Sequence, residues 1–196
     1  MNSQEQIHLI QEIKRKFEQS DPLAEPVKHT NGDKAASVLV PLTFHNRELV
    51  VLYTHRSNNI SRHRGQVSFP GGMEELGDIT YLDTALRETA EEIGVPPQQV
   101  EVFGKLQPMD SPSGYLIHPY VGFIMELNDL HKNSAEVEKI FCIPLKWLLK
   151  RGNLRQEDYR SPLGEIHKVW VFKEFDGERV WGITAEITRR LLEKIK

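Results

Sequence analysis

Cysteine is nearly absent from this 196-residue chain: Cys142 has no partner within it, which excludes a disulfide framework. Flanked by Phe141 and Ile143, it reads as a buried structural thiol in a reducing compartment. Long apolar runs are missing as well. The run Ser37 to Phe44 carries Pro41 and is far shorter than the roughly 20 apolar residues a bilayer crossing needs, so no membrane partner is expected. Met1 to Ile13 interleaves Gln, Glu and His with its isoleucines and lacks the continuous apolar stretch of a secretory signal, so a cytoplasmic location is expected. Charge of one sign is not in excess either. Twenty-five Lys and Arg against 28 Asp and Glu leave a net charge of -3, which argues against nucleic acid as a partner held by bulk attraction.

What is present is 39% hydrophobic and 27% charged residues, the balance of a globular chain long enough to bury its own core. Ile7, Ile10, Ile13 and Phe17 recur at helical spacing after a Ser3–Gln6 capping box, predicting a helix over 4–19. The β-branched runs 35–42 and 48–55 read as a hairpin around His45-Asn46-Arg47. Helical periodicity returns over 80–93 and stops at Gly94-Val95-Pro96-Pro97. Further strands are predicted near 100–107, 119–127 and 136–143, with a short helix over 144–150 and a closing helix over 184–195. Between these last elements, 169–172 is expected to pair with 179–182 across Asp176-Gly177. With no repeat or low-complexity linker, residues 1–196 read as one α/β domain, 1–34 being an N-terminal helix and linker. Function is expected in the two long loops, 56–79 and 108–118.

The 80–93 helix carries the chemical signal. At about 100° per residue, Leu82, Ala85, Leu86, Thr89 and Ile93 share a buried face. Glu88, Glu91 and Glu92 share an adjoining one, at spacings that bring their carboxylates together. Each close like-charge pair costs about 0.2–0.5 kcal/mol in an ordinary helix, and acids near its C-terminal end oppose the macrodipole. A hard divalent cation, Mg²⁺ or Mn²⁺, would reverse that penalty; a solvated acidic face is the plainer alternative. Just upstream, Gly65-Gln66-Val67-Ser68-Phe69-Pro70-Gly71-Gly72 supplies two adjacent glycines where a backbone can approach a ligand closely.

Together these segments are decisive. Gly72, Asp78 and Arg87-Glu88-Thr89-Ala90-Glu91-Glu92-Ile93-Gly94-Val95 resemble the Nudix box, G-x5-E-x7-R-E-U-x-E-E-x-G-U with U a bulky aliphatic residue, here spread over 71–95. Asp stands for Glu at 78, one extra residue precedes Arg87, and Thr89 replaces the aliphatic residue. Leu52-Tyr53-Thr54-His55-Arg56-Ser57 followed by Gly65 and Phe69-Pro70-Gly71-Gly72 is similar to the signature of the coenzyme A pyrophosphatase branch, which shares the aspartate and the longer spacing. The arginine that this signature places four residues before the loop glycine is Ser61 here, next to Arg62. Resemblance continues to Trp181-Gly182-Ile183-Thr184 and covers about 35–192.

The resemblance implies an α/β/α sandwich with a mixed β-sheet and metal-dependent hydrolysis of a nucleoside diphosphate linked to another group. Glu88, Glu91 and Glu92 would hold Mg²⁺ or Mn²⁺, Arg87 would orient a box carboxylate, and Asp78 would brace the loop against the helix. Glu91 or Glu136 would serve as base. Gly71 and Gly72 would admit the metal and phosphates, and Arg56, Arg62 and Arg64, with His63 beside them, would meet the 3′-phosphate of a small-molecule nucleotide substrate of the coenzyme A class. The products would be 3′,5′-ADP and 4′-phosphopantetheine or its acyl form. Two alternatives stand beside this: a pyrophosphatase for ADP-ribose or another nucleoside diphosphate, often marked by a proline 16 residues after the box, where Ser111 precedes Pro112; and a catalytically inactive nucleotide-binding module. Trp147, Trp170 and Trp181 read as packing residues, and the sequence leaves the oligomeric state open.

Overall fold

The computed structural model describes residues 2–18, 23, 25–27, 34–57, 65–127, 130–161 and 164–196. Its centre is an eight-stranded mixed sheet with helices on both faces, an α/β/α sandwich. Strands β1 (Lys34–His45) and β2 (Glu48–Arg56) form the expected hairpin, and both Asn46 and Arg47 take positive φ, as a two-residue turn matched to strand twist requires. β1 also runs parallel to β7 (Tyr115–Ile124), from Lys34 opposite Tyr115 to Leu42 opposite Phe123. β5 (Val100–Lys105) and the short β6 (Met109–Asp110) pair with β7, and β8 (Val137–Pro144) pairs with the far edge of β2. From Leu39 to Thr43 every β1 side chain is buried, because helices cover both sides of it; a strand in that setting has no reason to alternate.

One feature of the sheet positions the site. β1 and β2 are paired only at their hairpin end, from Leu42 opposite Val51 to His45 opposite Glu48. Beyond it they part, and the segment 65–73 fills the wedge: β3 (Val67–Ser68) pairs with Thr54 and His55 of β2, while β4 (Gly71–Met73) pairs with Ala36 to Val38 of β1. The two glycines are thereby part of the sheet and inherit its rigidity.

Helix α2 (Tyr81–Ile93) covers one face, where Ala85, Ile93, Leu39, Leu52 and Tyr120 are fully buried. Burying each of its larger apolar side chains contributes about 1.5–3 kcal/mol. Thr80 and Asp83 form a capping box at its start, and Gly94, at φ 75°, ends it in the left-handed conformation that glycine adopts without penalty. Leu82 and Leu86, expected on the buried face, are only partly buried; Tyr81 and Thr84 are the buried neighbours instead. The opposite face is covered by α1 (Ser3–Arg15), the one-turn α3 (Leu145–Leu148) and α4 (Gly182–Ile195).

The structure moves three boundaries. The N-terminal capping box is Asn2 with Glu5, one residue earlier than the Ser3–Gln6 reading, and α1 ends at Arg15. The expected 169–172 to 179–182 pairing survives as a bridge between Val171 and Trp181, but the main partner of β10 (Ile166–Phe172) is β9 (Leu154–Arg160). Lys34, assigned to the linker, already belongs to β1. Cys142 is half-buried, and desolvation pushes its thiol up to about 11, which keeps it protonated and unreactive. Among the described residues no helix is long and apolar enough to cross a membrane.

Candidate active site

The site forms where α2 crosses the wedge between β1 and β2. One carboxylate oxygen each from Glu88, Glu92 and Glu136 lies within 4.8 Å of the others. Glu92 is the unusual member: its side chain is 2% exposed, the Gly71 backbone lies close enough to favour its charged form slightly, and Arg56 Nη1 lies 3.5 Å from its Oε1. Its Oε2 is buried and has no hydrogen-bond partner among the described residues. Burial dominates its electrostatics and, against the opposing pull of Arg56, pushes its carboxyl up to about 8. Glu88 is raised as well, first by burial, while Arg87 pulls it the other way.

Glu136 reaches these two from a different element. Asn133 N–H donates to the Glu92 carbonyl at 2.9 Å, and the Asn133 carbonyl accepts from Glu136 and Val137 at 3.0 and 2.8 Å. The Asn133 side chain closes the turn on the amide of Ala135, and Ser57 N–H donates to the Glu136 carbonyl at 2.7 Å. A tight turn is thus tied to the end of α2 and aims Glu136 back at the helix. Sequence reading named Glu136 but missed Asn133; the Asn-Ser-Ala-Glu spacing of an Asx turn was the available signal.

Arg87 organises the other side. Its Nε donates to Asp78 Oδ1 at 3.1 Å and its Nη2 to Asp78 Oδ2 at 3.0 Å, a two-pronged clasp across the loop. The remaining donors go to Glu88 Oε1 at 3.0 Å, Glu91 Oε2 at 3.2 Å and the Met73 carbonyl at 3.0 Å. These contacts, the hydrogen bond to Asp78 foremost, raise the affinity of Arg87 for its proton. Burial pushes Asp78 upward, yet hydrogen bonds from Arg87, the Glu75 amide and Thr84 together hold it below the usual aspartate value. Glu91, expected as a third metal ligand, is 54% exposed and turns toward Arg87 and solvent, while Glu136 lies with Glu88 and Glu92.

The two glycines set the floor. A Cβ on Gly72 would lie 2.4 Å from the Glu88 carboxyl group, and one on Gly71 would lie 2.3 Å from the Ser37 carbonyl oxygen. The clash at Gly71 is with backbone and excludes any side chain, whereas a side chain at Gly72 could be admitted only by displacing the Glu88 carboxyl group. Gly71, Gly72 and Arg56 line the mouth of a cleft of about 280 Å³ that opens beside the carboxylates. Arg62, His63 and Arg64, and Ser61 before them, lie outside the described residues.

Three hard carboxylate oxygens, one of them on a buried acid with a spare lone pair, are a donor set that fits a Mg²⁺ or Mn²⁺ ion. Sandwich fold, glycine floor, arginine clasp and carboxylate cluster converge on one class, and a family model described as the NUDIX domain matches residues 33–162. The chain belongs to the Nudix family. It is 37% identical over 171 residues to the protein named Uncharacterized Nudix hydrolase NudL of Photorhabdus laumondii, covering 87% of this chain and 90% of that one. With the NudL of Yersinia enterocolitica it shares 34% over 186 residues, 95% of this chain and 93% of the relative. Among solved structures, a MutT/nudix family protein from Enterococcus faecalis matches with a TM-score of 0.55 at 17% identity, over 99% of this chain and 73% of that one, a likeness of fold.

Proposed function

We propose that this protein hydrolyses the diphosphate of coenzyme A or an acyl or oxidised derivative, releasing 3′,5′-ADP and the 4′-phosphopantetheine portion. The observation that carries the diphosphate chemistry is the Glu88–Glu92–Glu136 cluster against the glycine floor, with Arg56 at the cleft mouth. The coenzyme A assignment rests on the signature through Arg56, Gly65 and Phe69 to Gly72, and Arg62 and Arg64 are proposed to meet the 3′-phosphate. The protein is proposed to work as one domain in the cytoplasm, on this small molecule and not on nucleic acid.

Glu88 and Glu92 would hold the divalent cation, Mg²⁺ or Mn²⁺, which when bound neutralises charge on the diphosphate oxygens. Arg87 holds Glu88 by one nitrogen and the loop by two, so the carboxylate is fixed before substrate arrives. Arg56 orients Glu92, and Gly72 leaves room for Glu88. Glu136 faces both acids from outside the helix and is our choice for the group that takes the proton of the attacking water; Glu91 is engaged by Arg87. Water then adds its oxygen to one phosphorus as the bridging P–O bond breaks, and the bridging oxygen leaves with the other phosphate.

The test is hydrolysis of coenzyme A, dephospho-coenzyme A, ADP-ribose, NADH and a nucleoside triphosphate with Mg²⁺, Mn²⁺ and chelator. Metal-dependent release of 3′,5′-ADP with coenzyme A preferred is the expected result. Preference for ADP-ribose would overturn the branch and keep the chemistry; no turnover of any member would favour a binding module. Glu92→Gln should lower turnover by more than about a hundredfold, since even groups behind metal ligands are worth about 10–100-fold.

A further inference from the structure

The cleft does not end beside the carboxylates. A second cavity of about 180 Å³ continues it, sharing Gln66, Val67, Ser111, Ser113, Ile183 and Thr184 with the first. Its far end is formed by Pro112, Val169 and the aromatic pair Tyr159 and Trp181, whose ring centres are 5.5 Å apart at a 40° tilt. Arg56, at the carboxylate end, is the one charged side chain among the described residues lining either cavity. A phosphate or ribose phosphate pushed into this groove would lose water without gaining a cationic partner among the described residues, which is unfavourable. An uncharged chain carrying methyls, amides and a hydroxyl would bury its apolar groups there and find serine and glutamine side chains along the wall. Val169, Trp181, Ile183 and Thr184 lie beyond the stretch 33–162 that the family model matches, so this part of the groove is built from residues outside the matched domain core.

We infer that this groove is the subsite for the pantetheine arm of the substrate. The arm leaves the diphosphate at Arg56, runs uncharged between the 111–113 turn and the start of α4, and presents its thiol or acyl thioester to Tyr159 and Trp181. This rests on the coenzyme A reading and adds the direction in which the substrate lies: beyond Arg56 the groove offers, among the described residues, no cation to receive the adenosine 3′-phosphate half. The position of Tyr159 on β9, two residues diagonal to Val169 on β10, makes the hairpin the outer wall.

The test uses the two products as competing inhibitors of coenzyme A turnover by the full chain. Tyr159→Ala should raise the inhibition constant of 4′-phosphopantetheine about tenfold relative to that of 3′,5′-ADP, the scale of losing one aromatic contact in a subsite. Val169→Asp, which places a charge in the groove from the neighbouring strand, should shift the same ratio in the same direction, so the result does not hang on one variant. If the two constants move together, or neither moves, the arm subsite is wrong. If the unaltered protein does not turn over coenzyme A at all, it is the underlying function that fails, and the two failures are told apart in the first assay.

Discussion

Gly72→Ala isolates the geometry of the carboxylate cluster from the stability of the fold. The added Cβ would stand 2.4 Å from both Cδ and Oε1 of Glu88, and an ordinary contact begins at 3.4 Å, so the carboxyl group must retreat by 1.0 Å, the difference between the two. The neighbours it meets are the far end of a flexible side chain, and the backbone of Gly72 is not in the left-handed region. The fold can therefore absorb the methyl by swinging Glu88, and unfolding in urea should change by about 1 kcal/mol or less. Catalysis cannot absorb it. A displacement of about 1 Å at a positioning group costs on the order of a hundredfold, or about 2.7 kcal/mol of barrier. Gly71→Ala is the contrasting variant: its Cβ would meet the Ser37 carbonyl at 2.3 Å and the Val38 Cα at 2.7 Å, both backbone, so stability and activity should fall together. Metal-dependent turnover and urea denaturation of the two variants, measured side by side, decide the matter. A Gly72→Ala protein that keeps turnover within threefold of the unaltered chain, at unchanged stability, would refute the claim that Glu88 must stay where it is.

Arg87→Met should destabilise the protein by about 2–3 kcal/mol in urea, because the Asp78 carboxyl, 6% exposed, keeps its charge but loses its two strongest donors; Arg87→Lys should recover little, since an ammonium cannot span both oxygens and Glu88 at once. The pH dependence follows from Glu92. Its folded value is raised to about 8, so its stabilising share is complete below the unfolded value near 4.5 and is lost as pH climbs through 8, on the order of 3 kcal/mol by pH 7. The metal-free protein should therefore lose roughly 6–10 °C of Tm between pH 5 and pH 8, Glu92→Gln should flatten that slope, and added Mg²⁺ should raise Tm more at pH 8 than at pH 6. An equal slope in the Glu92→Gln protein would sink the assignment.

The elements that announce themselves in the sequence are those whose pattern answers to one local cause. The α2 helix has its cap at Thr80, its stop at Gly94 and its apolar period between, and the β1–β2 hairpin has its two-residue turn. Strand β9, Leu-Arg-Gln-Glu-Asp-Tyr-Arg, could not be read, because it lies in a two-stranded ribbon with most side chains in water and no buried face to impose alternation. For the site, the spacing of Glu88 and Glu92 was legible, while the departure of Glu91 from them was not: all three share a helical arc, and only Arg87, folded back onto the loop, decides which one turns away. That Glu92 is buried depends on Gly71 and Arg56, which reach it through the sheet and not through the helix.

The clasp of Arg87 on Asp78 also bears on how much the loop between the glycines and the helix can change. Arg87 ties the Met73 carbonyl and the Asp78 carboxylate to the same guanidinium, so the ends of the connection are fixed in space and not by a count of residues. Between them Leu76 is fully exposed and Gly77 has open space around it. The box spacing of five residues is kept between Gly72 and Asp78, and the one extra residue lies between Asp78 and Arg87, where the two-pronged clasp still brings the two side chains together. Glu75 and Asp78 close the 75–78 turn by hydrogen bonds in both directions, so the backbone there is set, and the exposed side chain of Leu76 is the place to attach a fluorescent label by substitution, within reach of the active centre and touching none of its groups.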